Sequence, residues 1–298
     1  MRLKEIESSL SQINIDEFRL LVTKESFEYR DLNNINNFKL FLDTISTIDV
    51  YQEEIEFFRN SILYETTQNK INLKSKKALD IYHKAKYLSD STNALKIVFH
   101  KLLPQSSDNS ISIKLPEPAD LEALNKTMNT VQKYISQLIV NDTINGTIKV
   151  NHWEFGSFWI ELAVGTPGAV TLISSAVWAA AVISKKFNEN KILEQQIRSM
   201  SIKNESLEDI LESQKKLTSQ LIDNEAQNVL DKHFEKDNFE QFERIKGTIK
   251  TFAKLIQDGA EIHPALMAPE KVQNLFPNYK KLDMVTSKIK QIEDKLEH

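Results

Sequence analysis

The chain of 298 residues contains no cysteine. That absence excludes disulfide bonds, thiolate-bound zinc, iron–sulfur clusters and cysteine nucleophiles, and it favours the reducing environment of the cytoplasm. Glycine and proline are scarce too, with 6 and 7 residues, so a turn-rich β architecture is disfavoured. The composition therefore predicts a globular, cytoplasmic protein built mainly from long helices.

Familiar catalytic and cofactor-binding motifs are also missing. No glycine-rich loop leads into a Lys-Ser/Thr pair or a dinucleotide-type helix, and no Gly-x-Ser-x-Gly sequence occurs. The histidines lack the spacing of a metalloprotease motif; they are His83, His100, His152, His233, His263 and His298. We therefore expect no catalytic residue, no cofactor and no metal, and favour a protein that is not an enzyme. An active site assembled from distant residues would leave no motif.

Neither the charge nor the first residues indicate a nucleic-acid partner or secretion. The formal net charge is −4, and the lysine clusters Lys74–Lys77 and Lys280-Lys281 lack the interleaved aromatic residues that base stacking uses. The opening MRLKEIESSLSQ is charged where a secretion signal needs an apolar run of about 7–15 residues. We expect a cytoplasmic protein without a nucleic-acid partner, and the abundance of Ile, Lys and Asn favours a bacterial source.

Four segments repeat apolar residues at spacings of three and four, which is typical of helices that pack along a narrow, coiled-coil-like seam. Pro118 and the acidic residues Asp120 and Glu122 favour a helix start at the second of them. The four predicted helical seams are Ala78–Leu102, Leu121–Leu138, Phe242–Ile256 and Leu282–Ile292.

The period changes to two between residues 110 and 164, where strands are predicted. Asn145-Gly146 marks a turn, and Glu154–Ser157 is short enough to join two strands as a hairpin. The alternating apolar residues are Ile111, Ile113 and Leu115, then Ile148 and Val150, then Phe158, Ile160, Leu162 and Val164. The predicted fold class is mainly α, a long-helix bundle with a small inserted three-stranded β-sheet in an α+β element around residues 108–200.

This pattern suggests three regions that could also form one continuous domain. Residues 1–105 are an N-terminal helical region, residues 106–200 a small α+β unit with an apolar helix, and residues 201–298 a C-terminal helical region.

The segment Ala163–Ser184 has no charged residue in a chain that is 27% charged. Thr166-Pro167 predicts a helix start, and the residues from Pro167 to Ser184 span about 27 Å, slightly less than the hydrocarbon core of about 30 Å. Lys185-Lys186 would mark the cytoplasmic end, which would force the preceding folded residues across the membrane. We therefore expect a helix buried by its own protein or by a sister subunit, not a constitutive span.

No glycine or proline follows Gly168 until Gly247. The helix can therefore continue beyond Lys185 as a stalk or a coiled-coil arm, or break near Asn204, where Ser206 and Asp209 resemble a restart cap.

Two functions fit these features. In the first, the protein is a non-catalytic, self-associating scaffold or interaction subunit that assembles with itself or a protein partner through the apolar helix. In the second, it is a membrane-active effector of toxin or defence type that inserts residues 167–184 into the inner face of a bilayer when triggered. The aromatic residues just before the helix would be interfacial anchors, or a hairpin packed on it. The candidate interface or membrane residues are Trp153, Phe155, Phe158, Trp159, Pro167, Leu172, Ser175, Ala176, Trp178, Ala179, Ala180 and Ile183.

Overall fold

A computed structural model of the protein describes residues 3–24, 26–103, 109–154, 158–199, 205–235, 238–266 and 268–289. The chain divides into two compact units, Met1–Gln105 and Ser106–His298. Each unit has its own hydrophobic core and its own antiparallel sheet. Helices dominate both units, so the predicted fold class, mainly α with a small β element, is confirmed.

The first unit packs helices around a phenylalanine-rich core beside a sheet in which β2 pairs with both β1 and β3. The ring of Phe38 lies 5.9 Å from that of Phe41 and 5.0 Å from that of Phe58. The predicted helix over residues 78–102 is confirmed by α6. In chain order the elements are α1 (Leu3–Ser11), α2 (Ile15–Phe18), β1 (Leu21–Lys24), β2 (Tyr29–Asn33), α3 (Ile35–Ile45), α4 (Gln52–Arg59), α5 (Ile62–Glu65), β3 (Lys70–Lys74) and α6 (Ser75–Leu102).

The second unit contains the predicted α+β element and the helices that follow it. Its sheet has the strand order β5-β6-β4-β7, so β7 adds a fourth strand to the three that the alternation predicts. That strand was missed because it lies in a proline-containing stretch that predicts a loop. The elements are β4 (Ser110–Lys114), α7 (Leu121–Ile139), β5 (Lys149–Glu154), β6 (Trp159–Ala163), α8 (Pro167–Ser199), α9 (Glu205–His233), α10 (Phe239–Gln257), β7 (Glu261–Pro264) and α11 (Glu270–Gln273).

The apolar helix α8 lies inside this unit. It begins as predicted, because the Thr166 hydroxyl accepts a hydrogen bond from the backbone N–H of Ala169 at 3.1 Å. Between Ala169 and Ser184, thirteen residues are buried, and α9 and α10 are the main neighbours of the helix. The helix is therefore buried by its own protein, one of the two environments expected from its all-round apolar surface.

Helix α9 runs antiparallel to α8. Asn190 on α8 donates to Thr218 on α9 at 3.0 Å, and Ser175 lies 2.9 Å from His233 near the other end of the pair. As the residue number rises along α8 from Ser175 to Asn190, the number of its partner on α9 falls from His233 to Thr218. The two helices therefore run in opposite directions. The break predicted near Asn204 lies outside the described residues, and the charged half of α8 packs on α9.

The helix predicted over residues 282–292 is wrong for the residues that the structure describes. A short 3₁₀ helix covers Tyr279–Met284, and residues 285–289 are not helical. Two side chains of α8 explain the departure: Trp178 donates to the carbonyl of Thr286 at 2.9 Å, and Lys185 donates to that of Asp283 at 2.6 Å. These bonds occupy carbonyls that a helix would use internally. We call residues 283–289 the C-terminal segment.

Candidate functional site

The predicted interface residues on α8 lie mostly in the core of the second unit, at 0–1% exposure. Pro167 is exposed at the start of the helix, and Phe155 lies outside the described residues. Trp153, Phe158, Trp159, Ser175 and Trp178 are half-buried. The fully buried members are Leu172, Ala176, Ala179, Ala180 and Ile183.

This burial restricts how α8 can be used. Among the described residues, α8 alone is long and apolar enough to cross a membrane, and 72% of its most apolar stretch is buried in the protein. The core of a soluble protein gives the same signal. Assembly or membrane insertion through Ala176 and Ala180 would require α8 to separate from α9 and α10.

A large apolar groove lies elsewhere, between α7 and strands β5 and β6, with a volume of about 1180 Å³. We call it the α7–β5 groove. Apolar side chains at its mouth reach solvent: Leu121 is 80% exposed and Val150 is 61% exposed. A contiguous exposed apolar face of this kind is unusual in a monomer and typical of a binding surface. The apolar lining residues are Leu121, Leu124, Met128, Val131, Val140, Ile148, Val150, Trp153, Ile160 and Leu162.

A β-bulge in β5 builds the floor of this groove. The register between β5 and β6 shifts between Val150 and His152. Because of this shift, Val150 pairs with Leu162 and Trp153 pairs with Ile160, so both side chains lie on the apolar face of the sheet. Regular alternation would have placed Val150 and Trp153 on opposite faces.

The opposite face of the same sheet is polar. The strand registers align His152, Glu161, Ser112 and His263 in one row across β5, β6, β4 and β7. Ser112 and Glu161 are buried, and Asn151 donates to Glu161 at 3.4 Å. Among the described residues, no group of three or more histidines and carboxylates is placed to hold a metal. The row therefore gives no support for a metal centre.

The edge of this polar face carries a charged cluster. Glu261 accepts hydrogen bonds from Lys114 at 2.8 Å and pairs with His263 at 2.9 Å. Burial alone would raise the pKa of Glu261, but the bonds from Lys114 and His263 outweigh it, and the pKa of Glu261 is lowered. The carboxylate thus remains ionised and crosslinks two neighbouring strands.

A smaller cavity of about 260 Å³ lies between α8, α9 and the C-terminal segment. We call it the polar cavity. It brings Ser175 within 2.9 Å of Nε2 of His233, although 58 residues separate them in the sequence. Burial, and then the charge of Lys232, lower the pKa of His233, so its imidazole is neutral at pH 7. Sequence reasoning selected Ser175 as an interface residue and missed its histidine partner.

The Ser175–His233 pair is not arranged like a catalytic triad. The Ser175 hydroxyl has one proton and two acceptors, the His233 ring and the carbonyl of Thr171 at 3.0 Å. Within the described part of the chain, no carboxylate hydrogen-bonds the second ring nitrogen of His233, which a triad would require to orient the base. The pair therefore offers polar contacts to a ligand but no activated nucleophile.

Glu225 contributes a buried carboxyl to the wall of the polar cavity. The residue is 2% exposed, and its Oε1 atom has no hydrogen-bond partner among the described residues. Burial raises the pKa of Glu225 against the opposing effects of the hydrogen bond from Ser287 and the charge of Lys232. Lys288 also lines the cavity, with Nζ 3.3 Å from the ring centroid of Trp178.

The chain is similar to a bacterial protein over nearly its whole length. It is 28% identical over 296 residues to the uncharacterized protein YqaP of Bacillus subtilis (strain 168), and the match covers 94% of each chain. No family model and no solved structure matches the chain. The similarity supports the bacterial source predicted from the composition.

Proposed function

We propose that the protein is a non-catalytic interaction subunit that self-associates, and that its contact surface is the α7–β5 groove. The observation that carries the proposal is the open apolar face formed by Leu121, Val140 and Val150, which are 80%, 53% and 61% exposed. The sequence alone predicts assembly through α8, whose apolar residues are already buried in the second unit. Trp153, one of the predicted interface residues, lines the groove.

The size of the groove favours a macromolecular occupant. Small-molecule pockets usually enclose about 300–1,000 Å³, whereas this groove measures about 1180 Å³ and is open along β5. Strand β5 is also an edge of the sheet, so one row of its backbone donors and acceptors is available for pairing with another strand.

A second copy of the chain is the occupant that the sequence of β5 fits. The strand reads KVNHWE from Lys149 to Glu154. If two copies pair antiparallel about the middle of this strand, Val150 lies opposite Trp153 of the other copy. The pairing joins apolar side chains on the groove side. A twofold contact of this kind is self-complementary and closes as a dimer.

The test is light scattering coupled to size-exclusion chromatography, over a range of concentrations and without detergent. We expect a dimer, and we expect Val150→Lys to shift it to monomer by weakening association at least about tenfold, because a charge would enter the apolar contact. Val98→Lys is the matched control, since Val98 is 45% exposed on α6 in the first unit. A wild-type chain that stays monomeric up to about 100 μM would refute the proposal.

Adding liposomes to the same samples distinguishes self-association from the alternative proposal, a membrane-active effector. Insertion of residues 167–184 would require α8 to leave α9 and α10 and to expose its thirteen buried residues. A chain that leaves the soluble peak and co-floats with liposomes would favour insertion. A dimer that ignores liposomes would favour self-association.

A further inference from the structure

The polar cavity gathers two lysines and a histidine around one carboxyl group, that of Glu225. Lys232 and His233 come from the end of α9, and Lys288 comes from the C-terminal segment. In the described part of the chain, neither lysine forms an ion pair with a carboxylate. The contact with Trp178 places the ammonium group of Lys288 against the wall of the cavity.

The two lysines disfavour each other's charge. Burial and the charge of Lys232 lower the pKa of Lys288, and the same two causes lower the pKa of His233. Folding thus brings the two lysines near each other, so an anion between them would be favoured. Glu225 is the one carboxyl group among the lining residues, and it would oppose an anion.

The remaining wall residues define the shape of the ligand. Thr171, Ser175 and Asn228 contribute hydroxyl and amide groups to the lining, and Trp178, Val229 and Leu275 contribute apolar groups. A volume of about 260 Å³ is below the usual range of about 300–1,000 Å³ for drug-sized ligands. The cavity therefore suits a small molecule with one anionic end and a short apolar body.

We propose that the polar cavity binds a small organic carboxylate, whose carboxylate group lies between Lys232 and Lys288 and whose apolar body packs on Trp178. When Nε2 of His233 accepts the proton of the Ser175 hydroxyl, the Nδ1–H group of the ring is left to donate a further hydrogen bond. The site is separate from the α7–β5 groove and does not depend on self-association.

Calorimetric titration of the full chain with benzoate tests the site, with benzamide as the neutral isostere. We expect benzoate to bind and benzamide not to bind. Lys288→Gln and Lys232→Gln should each weaken benzoate binding about tenfold or more, because each removes a cation. Glu225→Gln should strengthen it, because it removes the opposing charge while keeping the shape. Lys254→Gln is the matched control, since Lys254 is an exposed lysine on α10.

Proton NMR of the histidine rings gives an independent readout. Bound benzoate should raise the pKa of His233, because a nearby anion favours the imidazolium. Each variant is first checked for cooperative unfolding, so that a loss of binding is not a loss of folding. Failure of benzoate to bind at about 10 mM, a range that covers even very weak sites, would overturn the proposal. Equal binding of benzamide, or binding unaffected by Lys288→Gln, would also overturn it. Inorganic phosphate that binds more tightly than benzoate would overturn the assignment of a carboxylate with an apolar body.

Discussion

Glu225 links the polar cavity to the pH dependence of stability. Its pKa is raised in the folded state, so between its unfolded pKa and its folded pKa the folded chain binds more protons than the unfolded chain. The contribution of Glu225 to the free energy of unfolding is therefore largest at low pH, and it is lost as the pH rises from the unfolded pKa to the folded pKa. Glutamine cannot ionise, so Glu225→Gln should remove this loss.

We predict that the stability gain of Glu225→Gln over wild type grows as pH rises above about 4.5 and levels off above the folded pKa of Glu225. Urea unfolding of both proteins across that range measures the difference. Because His233 is present in both proteins, its titration cancels from the comparison. Parallel pH profiles for the two proteins would show that Glu225 is ionised as easily in the folded state as in the unfolded state.

Gly146 fixes the approach of the chain from α7 to β5. A Cβ atom at this position would lie 2.8 Å from Cβ of Ile139 and 2.9 Å from its carbonyl oxygen. Since the second contact is with backbone, Gly146→Ala should destabilise the second unit by about 1–3 kcal/mol. Urea unfolding measures the loss. The control is Gly168→Ala on α8, where the nearest atom to the new Cβ would be the Thr166 hydroxyl oxygen at 3.9 Å. The free energy of unfolding should be unchanged or slightly higher. Equal effects of the two changes would contradict this explanation.

Single residues show where sequence reasoning stops. Thr166-Pro167 marked the start of α8 correctly because capping depends on residues three apart. The Ser175–His233 contact joins residues 58 apart, and the row through His152 and Glu161 depends on strand register. Neither has a local signal, since both depend on how the elements pack.

At the scale of elements, apolar periodicity predicted α6, α7 and α10 because one face of each is buried in its own unit. The same periodicity misled at residues 282–289, where hydrogen bonds from Trp178 and Lys185 replace helical ones. It also left the role of α8 open, because an all-round apolar surface fits protein or lipid equally well. Only packing on α9 and α10 reveals what covers that surface.

Burial of α8 makes a prediction that separates a core helix from an assembly face. Ala180 is fully buried, so Ala180→Leu should overpack the core and destabilise the protein by about 1–3 kcal/mol. Lys191 is exposed on the same helix, and Lys191→Leu should change stability by less than about 0.5 kcal/mol. Urea unfolding at a concentration low enough to keep the chain monomeric measures both. If Ala180→Leu changed only the oligomeric state, α8 would be an assembly face after all.

At the scale of the whole molecule, the two hydrophobic cores share no residue. One is centred on Phe38 and the other contains Phe252, and both side chains are fully buried. A cavity left by a truncated phenylalanine removes contacts within its own core, at a cost of about 3–5 kcal/mol. Because the cores are separate, we expect each loss to remain within one unit.

Hydrogen exchange measured by mass spectrometry tests this expectation with a matched pair of variants. Phe38→Ala should accelerate exchange in α3 and α6 and leave α8 and α10 protected. Phe252→Ala should do the reverse, because Phe252 lies on α10 within the second core. Comparing the two variants separates local loss of protection from a general fall in stability. If either change accelerated exchange in both cores equally, the two units would unfold as one cooperative body.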